Sequence, residues 1–139
     1  MTRSVDGLLD TNVFIHAHAR DALTAECRAF LAALERGHVG AVMDALVLHE
    51  LSYALPHYVK QMTRASVAEY LLMVLSWPGV RGDKDILVET VMRWQAAPTL
   101  AFVDAYLATV AHQRGCPVFG KNVKDLAGQG VSVPTPLPS

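Results

Sequence analysis

The chain is short of several things, and each shortage removes a class of protein. Only two cysteines, Cys27 and Cys116, occur in 139 residues. They lie in apolar surroundings without metal-type spacing, which excludes a disulfide framework and a cysteine-based zinc site. Long hydrophobic runs are missing too. The longest strongly apolar stretch, Leu71 to Leu75, is far too short to cross a bilayer, and the opening MTRSVDGLLD lacks the apolar core of a secretory signal. The expectation is a reduced, cytoplasmic protein with no membrane association. Neither sign of charge dominates: the formal net charge is −1. There is no global basic footprint, so any nucleic acid must be gripped by local Lys/Arg patches and metal. Repeats and low-complexity segments are absent.

Apolar residues are plentiful, at 52% of the chain, which is ample for the core of one compact domain. Hydrophobic spacing predicts a short strand over 5–9 and a helix over 11–19. Leu23, Cys27, Phe30, Leu31 and Leu34 mark a second helix, stopped by Gly37. A strand over 40–43 follows, then a helix over 46–53 limited by Pro56. Another amphipathic helix through Val67 and Leu75 closes at Pro78-Gly79, and Val80 begins a third strand. Helices are expected from Ile86 to Trp94 and from Leu100 to Arg114, and two last strands over 117–119 and 131–133. Alternating strands and helices argue for a parallel sheet covered on both faces. The domain should span 1–133, leaving the Pro-rich PTPLPS (134–139) as a C-terminal tail.

Four acidic or amide positions stand where hydrophobic segments end or turn inward: Asp10 in LLDTNVFI, Glu50 in LVLHEL, Asp104 in FVDAYLA and Asn122 in VFGKNVKDL. A carboxylate among apolar neighbours is costly unless paired, protonated or ligated, and converging carboxylates repel without a cation. No basic cluster adjoins Asp10, Glu50 or Asp104, so a hard divalent ion, Mg²⁺ or Mn²⁺, is the economical partner. An open α/β sheet gives scattered acids a meeting place beyond the carboxyl ends of its strands. Asp10 ends strand one and Asn122 follows strand four. The helix over 100–114 runs back against that strand, about 15 Å from Asp104 to Arg114, so Asp104 and Asn122 should meet. Asp104 shares a helical face with Leu100, Leu107, Ala108 and Ala111, and Glu50 shares one with Leu46, Val47, Tyr53 and Ala54, so both acids are expected to point inward.

With these residues in place, the chain resembles the PIN-domain nucleases, and within them the small ribonuclease toxins of VapC-like toxin-antitoxin pairs. The resemblance covers essentially the whole chain. It rests on a hydrophobic strand ending in Asp10-Thr11-Asn12, on Glu50 in the helix after strand two, on Asp104 in an apolar helix, and on Asn122 and Asp125 after strand four. It implies a three-layer α/β/α sandwich with a short parallel sheet of strand order 3-2-1-4-5. It also implies RNA cleavage supported by Mg²⁺ or Mn²⁺, homodimerisation and neutralisation by a cognate antitoxin. On this reading Asp10, Glu50, Asp104 and Asn122 are catalytic, and Asp10, Glu50, Asp104 and Asp125 face the metal.

The chain departs from the family pattern after strand four. Gly120 stands where many members have Ser or Thr, and Asn122 stands where many have Asp. Asn can orient a water but adds no negative charge, which argues against a firmly held second metal. Asp125 either compensates or serves as a surface acid or cap.

The histidines, including the His16/His18 pair and His49, lack metal-site spacing and read as structural or surface residues. Tyr53, Tyr58, Tyr70, Trp77 and Trp94 read as core or interface aromatics. Lys121 and Lys124 are the better candidates for phosphate contact, ahead of Arg81, Lys84 and Arg93. The surplus of apolar residues in the helices over 20–34 and 63–77 is expected to serve a homodimer interface and a groove for an antitoxin segment. Two other readings stay open: a catalytically silent PIN-like scaffold that binds RNA or protein, and a haloacid-dehalogenase-type phosphatase. The latter would want Asp where Asn12 stands.

Overall fold

Very short parallel strands separated by helices make up the first part of the chain. The computed structural model describes residues 6–139, so Val5, the expected start of the first strand, lies outside the described residues. The elements are β1 (Gly7–Leu8), α1 (Thr11–His18), α2 (Thr24–Arg36), β2 (Ala41–Val42), α3 (Ala45–Tyr58), α4 (Arg64–Ser76), β3 (Val80–Arg81), α5 (Lys84–Ala96), α6 (Phe102–Arg114) and α7 (Val123–Ala127). They fall into two compact units, Met1–Lys84 and Asp85–Ser139.

In the first unit the three strands form a parallel sheet with β2 at its centre, Gly7 opposite Ala41 and Ala41 opposite Val80. The pairing continues past the strand ends: Leu9 N–H donates to Val42 O at 2.9 Å and Met43 N–H to Arg81 O at 2.8 Å. Leu9, Ala41, Met43 and Val80 are buried, and the helices cover them with Phe14, Leu34, Leu48, Leu51, Leu71 and Val74. The ion pair from Arg81 Nε to Asp6 Oδ2, at 2.9 Å, lies alongside Gly40, whose missing side chain leaves the room it needs.

Helix ends follow local chemistry. Gly37 terminates α2 in the left-handed conformation (φ 74°), its N–H donating to Leu34 O while His38 N–H returns to Ala33 O. Asp44 caps α3 by accepting the Leu46 N–H at 2.8 Å, and Thr63 with Ser66 forms a reciprocal capping box on α4. One expectation fails here: α3 does not stop before Pro56 but runs through it to Tyr58. Pro56 lies in the last turn, where losing one N–H costs a single intrahelical bond and little of the helix remains to be kinked.

In the second unit α6 starts at Phe102, two residues later than the spacing predicts, because Leu100 belongs to the preceding turn, bonded to Ala97 O. Two expected strands are corrected. Segments 117–119 and 131–133 share one bond, Val118 N–H to Ser132 O at 2.9 Å, but no ladder. Pro134, two residues past Ser132, has no N–H with which to continue the pairing. Among the described residues the fold is therefore α/β with three parallel strands and seven helices, not five strands. No helix among them is long and apolar enough to cross a membrane.

Candidate active site

Asp10 occupies the N-cap position of α1 with an extended backbone (φ −108°, ψ 145°). An Asp at that position ordinarily spends its carboxylate on the first helical N–H groups, as Asp44 does at the head of α3. Asp10 makes no such bond. Its side chain is exposed and, among the described residues, pairs with no cation. Thr11 is buried behind it and Asn12 is exposed beside it. The turn from β1 into α1 thus presents a carboxylate that the fold does not use.

Glu50 lies on α3 with its side chain exposed. Its expected inward orientation is corrected. Leu48, Leu51, Ser52 and Leu55 define the buried face of α3, and at about 100° per residue Glu50 falls roughly 150° from its centre. Of the four neighbours it was expected to share with the core, Leu46 and Tyr53 are 78% and 58% exposed and Val47 is half-buried, while Ala54 alone is buried. Leu46, Glu50 and Tyr53 together form a surface stripe. Glu50 has no salt-bridge partner among the described residues.

In the second unit Asp104 sits in the first turn of α6, half-buried, between Phe102 and Ala105 of the core and one turn before Ala108. Its negative charge suits the positive end of the helix. Leu107, expected on its buried face, is 38% exposed. Asn122 is the N-cap of α7, a helix that sequence periodicity does not announce, and it too makes no capping bond with its side chain. Instead Asn122 Nδ2 donates to Asp104 Oδ2 at 2.7 Å. Asp125 follows in the first turn of α7, half-buried, and Lys121 and Lys124 flank Asn122 with exposed side chains.

Other titratable groups have structural work. His16 Nδ1 lies 2.8 Å from Asp21 Oδ2, and this bond, together with the Leu23 N–H, holds the Asp21 carboxyl below its usual range. His18 packs edge-on against Tyr70, with centroids 5.0 Å apart. Burial, with the nearby Arg28 charge, lowers the His18 pKa. Cys27 and Cys116 are free thiols. Within neither unit do three or more described His, Cys, Asp or Glu side chains stand together as a ready metal cage. The available donors are all oxygens of carboxylates that no described cation neutralises, a set whose chemistry fits Mg²⁺ or Mn²⁺ rather than a softer ion. Among the sequence-predicted residues, the structure brings Asp104 and Asn122 into contact. Asp44, which sequence reasoning passed over, also follows a strand, but its carboxylate is committed to capping α3.

Comparison with known proteins gives no curated protein and no solved structure that matches the chain. The family description "PIN domain" does match, over residues 7–127, which takes in Asp10, Glu50, Asp104, Asn122 and Asp125. A match over that much of the sequence shows that the chain belongs to the PIN-domain family, a family of nucleases.

Proposed function

We propose that this chain is a metal-dependent endoribonuclease that hydrolyses RNA phosphodiester bonds and serves as the toxin of a toxin-antitoxin pair. The observation that carries the reading is the idle carboxylate of Asp10: a strand-end Asp at a helix N-cap that does not cap. Glu50, exposed without a salt-bridge partner among the described residues, and Asp104, which accepts a hydrogen bond from the neutral amide of Asn122, extend it. PIN nucleases typically use divalent metals. Asp10, Glu50 and Asp104 would hold Mg²⁺, for which Mn²⁺ can substitute, with Asp125 as an added oxygen donor. When bound, the metal supplies charge neutralisation at a phosphate oxygen and a lowered pKa for an attacking water.

The remaining work falls to the chain. Asn122 orients Asp104, and Lys121 and Lys124, exposed beside it, are placed to contact backbone phosphates. No free histidine is required as general base. The three-layer α/β/α arrangement of PIN domains belongs to this proposal. Family membership sets aside the phosphatase alternative.

Two further features support the toxin assignment. The first unit carries a cleft of about 340 Å³ lined by His18, Arg28, Leu31, Glu35 and Tyr70 among others, on the helices expected to receive a partner. Leu23, Phe30 and Met73 are exposed on the same helices and their approaches. A homodimer and a groove for an amphipathic antitoxin segment would use such surface. Expression of wild type and Asp10→Asn in a bacterial host, with RNA ends mapped and co-purifying proteins identified, tests the reading. New RNA ends confined to the wild type are expected; identical RNA ends from both would refute it.

A further inference from the structure

One stripe of α2 faces the cleft of the first unit. Arg28, Leu31, Ala32 and Glu35 share a single helical face, and all four line the cleft. Arg28 is pinned: its Nε donates to Ala17 O at 2.7 Å, in the last turn of α1. No described carboxylate pairs with the rest of its guanidinium. Glu35, about 10.5 Å further along α2, has no salt-bridge partner among the described residues either. Between the two charges the cleft is apolar, with Leu31 and Trp77 both buried. One polar atom interrupts it: His18 Nε2 is buried without a hydrogen-bond partner among the described residues. The His18 ring is braced edge-on by Tyr70, itself packed edge-on against Phe14. Burial and the Arg28 charge keep that ring uncharged at neutral pH. Its Nε2 therefore offers either a proton or a lone pair, and leaving it unmet is costly.

We propose that this stripe docks an amphipathic helix of a partner protein that carries an acidic and a basic residue seven positions apart, with a tyrosine in the turn between them. The proposal rests on the toxin-antitoxin reading above, and the helix is the antitoxin's. A helix laid along α2 repeats its seven-residue spacing of about 10.5 Å, so that the acid meets Arg28 where the base meets Glu35. Ala32 carries only a methyl group, which lets the two backbones approach. The cleft, at about 340 Å³, has room for a large side chain. Tyrosine lays an apolar ring against Leu31 and Trp77 and brings a hydroxyl that both donates and accepts, so it satisfies His18 Nε2 in either tautomer. An aliphatic side chain would leave that nitrogen buried and unmet.

The test is fluorescence anisotropy of a labelled, alanine-based peptide of about 20 residues, long enough to hold a helix. It carries glutamate and lysine seven positions apart with tyrosine between them, and is titrated with the full-length chain. Saturable binding is expected. Arg28→Glu should weaken it about 10-fold, and exchanging the peptide's glutamate for lysine should restore it. His18→Phe, and separately phenylalanine in place of the peptide's tyrosine, should each weaken binding about fivefold, with no further loss when combined. Should Arg28→Glu fail to fold, Glu35→Lys with the peptide's lysine changed to glutamate makes the same exchange. No saturable binding by the wild type, or binding indifferent to the charge reversals, overturns the inference and leaves RNA cleavage standing. Conversion of a dimer to a monomer by Arg28→Glu, read by light scattering, overturns it too, because a second copy of this chain is then what covers the stripe. A wild type that binds the peptide but cuts no RNA overturns the nuclease reading and keeps this docking surface.

Discussion

Arg93→Met tests whether α7, and with it Asn122, is held from α5. Methionine keeps the unbranched stem and removes the guanidinium. The Arg93 side chain is only 18% exposed; it donates through Nη1 to Gln129 O at 2.8 Å and pairs through Nε with Glu89 at 3.2 Å. The Glu89 pair, four residues apart on one helix, is worth about 0.3–0.5 kcal/mol. A hydrogen bond from a charged donor to a half-buried carbonyl is worth about 1.5–3 kcal/mol. The loss is therefore about 2 kcal/mol. It should be felt locally, because five residues are too few for α7 to persist alone. At 1.36 kcal/mol per factor of ten, the opening of α7 should become about 30-fold more frequent. Hydrogen exchange reads this directly: the amides of Leu126, Gly128, Gln129 and Gly130, bonded to carbonyls of α7 and its cap, should exchange about 30-fold faster, while those in the middle of α6 keep their protection. Exchange within about twofold of wild type would refute the anchoring role of Arg93.

Three other outcomes are expected. Burial pushes the Tyr70 phenol up to about 12, so the folded state holds its proton while the unfolded chain, near pH 10, releases it. Stability is thus full below about pH 10, falls by about 2 kcal/mol by about pH 12 and by about 3 kcal/mol in all once pH passes the folded value. Alkaline urea melts should show that fall, and Tyr70→Phe should lose Tyr70's part of it; superimposable profiles would contradict the burial. Gly79→Ala should destabilise the first unit by several kcal/mol, because a Cβ there would collide with the carbonyl of Val39 and lie 2.5 Å from Leu34 O; an unchanged thermal midpoint would show that the α2–β3 approach is looser than described. Light scattering should give about twice the 15.1 kDa chain mass, and a strict monomer at high concentration would count against the toxin assignment.

Much of the fold was legible because its stop signals are chemical. Gly37 and Gly115 end α2 and α6 in the left-handed conformation, and Pro78-Gly79 follows α4 closely. The last segments were less legible. Val118 and Val133 carry strand-like side chains, yet Pro134 has no N–H to follow the Val118–Ser132 bond with another, and a hydrophobic triplet does not reveal whether a ladder can propagate. α7 is too short to show a period and rests on tertiary anchors such as Arg93. At the candidate site, the run from Asp104 to Arg114 was enough to place Asp104 near Asn122, because helix rise fixes that distance. The facing of Glu50 was misread because α3 is apolar on more than its buried side. Leu46 and Tyr53 make an exposed stripe that periodicity alone cannot distinguish from the core stripe of Leu48, Leu51 and Leu55.

The central claim is that Asp10, Glu50 and Asp104 act together on one divalent ion to cut RNA. Its most direct test is cleavage of purified RNA by the purified chain across a Mg²⁺ titration, with EDTA as control and Asp10→Asn, Glu50→Gln and Asp104→Asn alongside, each checked for folding by urea melts. The account predicts cleavage that needs Mg²⁺ or Mn²⁺, stops with EDTA and is lost at least 100-fold in each variant, with stability equal to or above wild type because each change removes a repelling charge. Cleavage that survives EDTA, or that persists in all three variants, would contradict it.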